Sequence, residues 1–343
     1  MSSIQYEDHI GLWEKELKSW VPKKIFDAHV HLGPPEAMGK ISPERLKLPL
    51  TTFTNLDLEG LKSWHEELYS GKRVKGFIAF PFPFREVALE AANRYIMNIM
   101  QERPEIKGFI LSHPKDTRET IKHFEEGLKY GVRFFGVKPY FDLLGKSNYE
   151  VTMPEFIPAD LLEFMNAEHL ILMLHTSGIG MGEKANQEFV MSIADGFPRI
   201  KIILAHFGRY LKLRHFSAFL KSDVLDYPSI FLEMSSVTQT EIYEMALNRR
   251  SLWPRVLFGS DMPYGVITGM EFYEGKTPTF VTRNHYPWSI AKDSGRNDVT
   301  YNTYHVIKAL KDALANLRLN EEQLEELKTG IFLRNATHNL LNQ

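Results

Sequence analysis

Apolar residues along the chain fall into two alternating patterns. Eight short runs are apolar almost from end to end, as parallel strands buried on both faces are: 24–31 (KIFDAHVH), 74–80 (VKGFIAF), 107–113 (KGFILSH), 133–140 (RFFGVKPY), 170–176 (LILMLHT), 200–206 (IKIILAH), 229–236 (SIFLEMSS) and 255–261 (RVLFGSD). Between them come amphipathic stretches. Residues 84–102 and 116–130 repeat apolar positions at i, i+3, i+4 and i+7, the spacing of one helix face, and the pattern predicts further helices near 159–167, 184–196, 209–221 and 239–249. Strand–helix alternation repeated eight times predicts an α/β fold of the (β/α)8 TIM-barrel type. An open doubly wound sheet is the alternative, but no Gly-rich turn follows the first run to cradle a dinucleotide.

Three segments exceed a minimal barrel. Residues 32–73 form a long, partly helical insertion after the first strand, 262–302 form a second after the eighth, and 303–342 read as two or three closing helices. Residues 1–23 precede the first strand as an N-terminal extension, and no Pro-, Gly- or Ser-rich linker divides the chain, so residues 1–343 read as one barrel domain. Both insertions leave the C-terminal mouth of the barrel, where long loops carry function.

Composition adds exclusions. With 43% hydrophobic and 24% charged residues, the chain has the makeup of a globular protein with a sizeable core. A formal net charge of −2, with the two signs interspersed, offers no face for nucleic acid or an anionic membrane. No apolar run approaches the ~20 residues that span a bilayer. The polar start of the chain does not read as a secretory leader, so a cytoplasmic location is expected. There is no cysteine, which leaves His, Asp, Glu or a modified Lys to hold any metal and points to zinc, manganese or iron in an N/O site.

Polar residues interrupt the apolar runs at one end. Burying an unpaired His, Lys or Asp is costly, yet His29 and His31, Lys138, His175, His206 and Asp261 all stand at the C-terminal ends of predicted strands. In a barrel those ends converge on one face. His29 and His31, two apart on a strand, point the same way and offer two imidazoles to one ion. His175 and Asp261 complete a set of three histidines and one carboxylate, with a position left open for water or substrate. A divalent ion there lowers the pKa of its water, and Asp261 is placed to accept the proton and pass it on. Taken singly, each residue also has a structural reading, as a hydrogen-bonded core histidine or a turn-capping Asp. Their common position is what points to a metal. Lys138 has two readings. Carboxylated, it bridges a second metal with His175 and His206; as an ammonium, it binds a substrate carboxylate while His206 hydrogen-bonds the activated water, and this second reading is preferred.

The same residues fall in motifs: DAHVHLG (27–33), GVKPY (136–140), LMLHTSG (172–178), ILAHFGR (203–209) and LFGSDMPYG (257–265). As a set these resemble the strand motifs of the amidohydrolase superfamily, above all the amidohydrolase-related group that includes aminocarboxymuconate-semialdehyde decarboxylase and related aromatic-acid decarboxylases. The ending GIFLRNATHNLL (330–341) is similar to that group's closing helix. The resemblance implies a (β/α)8 barrel, one divalent metal (often zinc) on His29, His31, His175 and Asp261, and His206 close to the activated water. It implies hydrolysis of amides, lactones and related bonds, with decarboxylation or hydration of unsaturated acids in some members. The segment EFYEGKTPTFVTRNHYPWS within the second insertion matches no subgroup pattern.

Position alone nominates further substrate contacts: His113 at the end of the third strand, Tyr140, Arg209, Glu233 on the seventh strand, and Arg283 and His285 in the second insertion. The cations Lys138, Arg209 and Arg283 suit a carboxylate, and FPFPF (80–84) and HYPW (285–288) could wall an apolar pocket. The leading expectation is metal-dependent hydrolysis of an amide, lactone or ester bond in a small carboxylated molecule. Decarboxylation or hydration of a small unsaturated or aromatic acid is the alternative, and a non-catalytic metal-binding barrel a third. The expected partner is the small-molecule substrate, with no nucleic acid and no membrane; assembly into a homo-oligomer is left open.

Overall fold

The structure is a computed structural model that describes residues 11–71, 73–210, 212–274, 277–282, 286–288, 291–292 and 299–342. Eight parallel strands pair in sequence order: β1 (Ile25–His31), β2 (Val74–Phe80), β3 (Ile106–Ser112), β4 (Gly136–Pro139), β5 (Ile171–Leu174), β6 (Ile202–Leu204), β7 (Ile230–Glu233) and β8 (Val256–Leu257). Two residues of β8 cannot complete the ring alone, and the chain beyond them does so. The Ala28 N–H donates to the Phe258 carbonyl at 2.9 Å, the His31 N–H donates to the Met262 carbonyl at 2.8 Å, and Val30 bridges Met262 in parallel. The (β/α)8 barrel expected from the alternating runs is therefore observed. No described helix is long and apolar enough to cross a membrane.

Helices α1 (Leu58–Leu68), α2 (Leu89–Glu102) and α3 (Thr117–Lys129) follow the first three strands. They are followed by α4 (Met153–Phe156), α5 (Ala159–Ala167), α6 (Lys184–Gly196), α7 (Leu213–Leu220), α8 (Thr240–Leu247), α9 (Asn302–Asn316) and α10 (Glu321–Thr329). Outer packing is tight enough to select residues. A Cβ on Gly108 of β3 would lie 2.2 Å from Met100 Sδ and 2.6 Å from Ile96 of α2, so only glycine lets that helix sit down on the strand. Inside, alternate strand residues (Phe26, Ala28, Ile78, Phe80, Phe109, Ile171, Met173, Ile203, Phe231, Leu257) form one buried cluster, joined by Ala336 and Leu340 of the closing π-type helix Gly330–Leu340. Lys201, just before β6, donates to the carbonyls of Asn339, Leu340 and Asn342. The closing helix thus seals the N-terminal end and leaves the opposite mouth open.

Several strands end earlier than the apolar runs suggest. β6 stops at Leu204 and β8 at Leu257, so His206 and Asp261 stand in the turns beyond their strands. The reason is backbone: His206 (φ 55°), Phe207 (φ 51°) and Asp261 (φ 55°) are left-handed, which no ladder residue can be. The second insertion also differs from a partly helical segment. Its described parts form a short 3-10 turn (Tyr264–Val266) and a three-stranded sheet of β9 (Gly269–Glu274), β10 (Thr277–Thr282) and β11 (Ala291–Lys292).

Candidate active site

Strict alternation along β1 would turn His29 away from the barrel. Phe26 and Ala28 belong to the interior cluster, whereas Ile25 and Val30 pack in the outer core. The register of β1 against β2 shifts between Asp27 and Val30. That bulge puts Ala28 and His29 on the same side in succession and sends both His29 and His31 inward, the re-aiming that bulges give beside functional sites. Their rings lie 5.3 Å apart, each against Phe80.

Asp261 completes a three-atom cluster. Its Oδ1 stands 3.1 Å from His29 Nε2 and 3.1 Å from His31 Nε2. Bonds of about 2.0–2.2 Å at tetrahedral to octahedral angles put neighbouring ligand atoms about 2.8–3.6 Å apart, so one small divalent ion fits this spacing. His29 Nε2 is buried and makes no hydrogen bond, despite its closeness to Asp261. A buried nitrogen without a hydrogen bond, set beside a carboxylate oxygen, is a donor pair that suits a shared cation. His175 faces the same cavity, 5.6 Å ring to ring from His206, but contributes no atom to this cluster.

Behind the cluster lie two networks. His29 Nδ1–H donates to Glu233 Oε2 at 2.8 Å, the carboxylate–histidine pairing that fixes the tautomer of a metal-binding imidazole. Glu233 in turn accepts from Ser235 N–H and from Ser235 Oγ, and His206 Nδ1–H donates to the Ser235 carbonyl at 3.0 Å. Glu233, nominated from position as a substrate contact, is fully buried against His29 and is not among the residues that line the cavity. The second network was not foreseen. Asp27, fully buried, accepts from Ser260 N–H at 2.8 Å, from Ser260 Oγ, from His29 N–H, and from His65 Nε2 of α1 at 3.1 Å. It ties the turn carrying Asp261 to the strand carrying the histidines. The available signal was an Asp inside an apolar strand, the same signal that exposed His29 and His31.

Charges concentrate here. Burial opposes a charge on His29, but Asp261 and Glu233 together outweigh it and lift its pKa from 6.5 to about 9. Burial lowers His31 to about 4, against the pull of Asp261. Burial also lowers His206, and lowers His175 further with help from Arg209, so both rings are neutral near pH 7. A proton on His29, held between two carboxylates, therefore occupies the place of a cation. Metal uptake at pH 7 is expected to expel close to one proton per ion, with affinity rising with pH up to about 9. Calorimetry in two buffers of different protonation enthalpy reads this number; enthalpies independent of buffer would mean that the ion does not displace that proton.

The cluster opens on a cavity of about 460 Å³. Lys138 reaches it from β4 with its side chain 99% buried, its ammonium over the rings of Phe80 (4.9 Å) and Tyr140 (5.7 Å). Among the described residues that ammonium has no hydrogen bond and no ion pair; burial lowers its pKa to about 8, partly opposed by Asp261 and Glu233. The two insertions meet over the opening. Tyr264 donates to the Leu50 carbonyl and Trp288 Nε1 to Thr52 Oγ1 at 2.8 Å, and Leu50, Tyr264 and Trp288 all line the cavity. Arg45 anchors the first insertion, donating to Glu86 at 2.8 Å and Asp142 at 2.6 Å.

The remaining nominated residues scatter. Tyr140 lines the cavity. His113 does not: its Nδ1 accepts the Lys115 N–H in the turn before α3. The Arg209 guanidinium turns aside to the Gly178 carbonyl and Tyr149 hydroxyl, leaving Lys138 as the buried cation. Arg283 and His285 lie outside the described residues.

Comparison with known families agrees with this geometry: the family model described as Amidohydrolase matches residues 26–269. The chain belongs to the Amidohydrolase family. A search of curated proteins found no match. Among solved structures, the chain is similar to 2,6-dihydroxybenzoate decarboxylase in complex with 2,6-dihydroxybenzoate (16% identity, 93% of this chain and 99% of that one, TM-score 0.54). It is also similar to a dihydroxybenzoic acid decarboxylase from Polaromonas sp. JS666 with bound manganese and 2-nitroresorcinol (17%, 93% and 96%, TM-score 0.53). A third is 4-oxalomesaconate hydratase from Rhodopseudomonas palustris (19%, 91% and 94%, TM-score 0.53). At such identities the likeness is one of fold.

Proposed function

We propose that this protein is a metal-dependent lyase that removes carbon dioxide from a small, flat, unsaturated or aromatic carboxylic acid. The observation that carries this reading is a single apolar-walled cavity with the His29–His31–Asp261 cluster and the unpartnered Lys138 ammonium both facing into it. His29, His31 and Asp261 would hold a divalent cation, with His175 as a fourth group, and that cation would supply Lewis acidity at the substrate's oxygen atoms. The identity of the metal, zinc in the first expectation, is a choice among zinc, manganese and iron that the N/O donor set permits.

The chain's own groups do the rest. Lys138 binds the carboxylate, and Tyr140, Tyr264 and Trp288 flank a flat ring and exclude water from it. When the bond to the carboxyl carbon breaks, its electron pair stays on the ring or vinyl carbon and must take up one proton. His206 donates its Nδ1–H to Ser235 and keeps Nε2 as a neutral base. It takes the proton that a phenolic or enolic substrate sheds on binding and returns it to that carbon. The solved decarboxylases and hydratase with this fold support the lyase reading. Hydrolysis, first in the sequence-based expectation, is the second reading, favoured by ionised Asp261 and neutral His206, each able to take a proton from water.

Metal-loaded protein incubated with hydroxybenzoic acids, and separately with carboxylated lactones and amides, in ¹⁸O-labelled or deuterated water separates the two. Decarboxylation gives carbon dioxide and, in deuterated water, deuterium on the carbon that lost it, with no heavy oxygen in the organic product. Heavy oxygen entering the product from a lactone or amide, without release of carbon dioxide, would overturn the lyase assignment in favour of hydrolysis.

A further inference from the structure

Among the described residues, every buried asparagine but one makes a side-chain hydrogen bond, although Asn148 does so through Nδ2 alone. Asn93 bonds the N–H and carbonyl of Leu111, Asn148 and Asn186 donate to loop carbonyls, and Asn335 donates to the Trp253 and Val256 carbonyls. Asn302 is only 5% exposed, yet among the described residues its carboxamide has no hydrogen-bond partner. It lines the same cavity as Lys138. Its place is fixed by the backbone: it opens α9, and its N–H donates to the Ile267 carbonyl at 2.8 Å. A polar side chain that is more than nine-tenths buried, makes no bond within the chain and faces a cavity is placed to bond what enters that cavity.

We propose that the substrate carries, besides its carboxylate, a neutral hydrogen-bonding group such as a hydroxyl or keto oxygen, and that Asn302 recognises it. This rests on the carboxylate reading of the Lys138 cavity and adds the second contact point. In an eight-stranded ring β4 and β8 face each other, so Lys138 enters from one side and Asn302, held to the segment after β8, from the other. The ligand lies between them, its anionic end at the ammonium and its neutral polar group at the amide. A carboxamide both donates and accepts. A hydroxyl satisfies both halves, and a keto oxygen satisfies the NH2, whereas a second carboxylate would meet no counter-charge at the amide. The apolar residues around Asn302 in the wall, Ile267 and Tyr264, offer no competing partner for that group except the Tyr264 hydroxyl, which is committed to Leu50. Asn302 is therefore a specificity-determining residue, in contact with substrate but not with the bond that breaks.

The test measures dissociation constants of benzoate and of the 2-, 3- and 4-hydroxybenzoates for the metal-loaded full chain. At least one hydroxy isomer is expected to bind about tenfold more tightly than benzoate, the worth of one well-made neutral hydrogen bond. Asn302→Leu is expected to bring that isomer to within about threefold of benzoate, with metal content unchanged. Should the leucine variant melt early, Asn302→Ala removes both halves of the amide without added bulk and is expected to abolish the same preference. A preference that survives both variants, or a wild-type protein that binds benzoate but no hydroxy isomer better, would overturn the role of Asn302 and leave the carboxylate reading standing. Failure of all four acids to bind wild type would instead overturn the carboxylate reading and this inference with it.

Discussion

Replacing Asp261 with Asn is expected to strip the purified protein of stoichiometric divalent metal and to lower turnover by roughly 10³-fold or more. Asn is the informative choice because Asp261 sits at φ 55°, a left-handed conformation that Asn also adopts readily. The turn therefore survives, and only the charge and one acceptor are lost. That charge does two things. Its Oδ1 lies 3.1 Å from both imidazole Nε2 atoms, and with Glu233 it overcomes the burial penalty on the His29 proton. Without it, two imidazoles face a site with no anionic ligand, and the surrounding Lys138 repels a cation. The accompanying readout is thermal. Saturating metal should raise the melting temperature of wild type, by a free energy equal to RT ln(1 + [metal]/Kd), and leave the variant unmoved. A variant with full metal content and a full thermal response would sink the assignment of this cluster as the metal site.

Lys138→Met is expected to change stability and function in opposite directions. The ammonium is 99% buried and, among the described residues, makes no hydrogen bond or ion pair, and burial lowers its pKa from 10.5 to about 8. A lysine whose folded pKa is depressed costs stability below that pKa and is relieved as pH rises from about 8 to 10.5. A lowering of this size corresponds to about 3 kcal/mol at most. Methionine fills a similar volume without the charge, so the variant should gain roughly 1–3 kcal/mol at pH 7, raising the melting temperature, while benzoate binding falls about 100-fold. The gain should shrink as pH passes 9, because wild type recovers the penalty there. A less stable variant, or one that binds carboxylates as wild type does, would mean that Lys138 is a structural cation and not the anion anchor.

The residues that became the site divide by how local their signal is. His29, His31, Lys138, His175, His206 and Asp261 were legible because each interrupts an apolar run, and polar atoms in a buried strand need a reason wherever they occur. Asp27 carried the same signal and was passed over as part of a motif. His113, Arg209 and Glu233 show the limit of reasoning from place. All three lie near strand ends, but His113 bonds the next turn, Arg209 bonds a carbonyl and a tyrosine, and Glu233 bonds His29. His113 meets a neighbour two residues away, but the partners of Arg209 and Glu233 are 31 to 204 residues distant, beyond the reach of any local pattern.

The sequence by itself determined the barrel and the face on which its polar residues gather. Both follow from period and burial, which are properties of short stretches of chain. The tertiary structure decided the rest. A bulge after Asp27 turned His29 inward where simple alternation would have turned it out, and left-handed turns ended β6 and β8 before His206 and Asp261. Two insertions, more than 200 residues apart, met over the cavity through Tyr264–Leu50 and Trp288–Thr52. Asn302, an unremarked position at the start of a helix, was left facing that cavity without a partner. Such outcomes are set by distances across the barrel, and no local pattern encodes a distance between segments that only folding brings together.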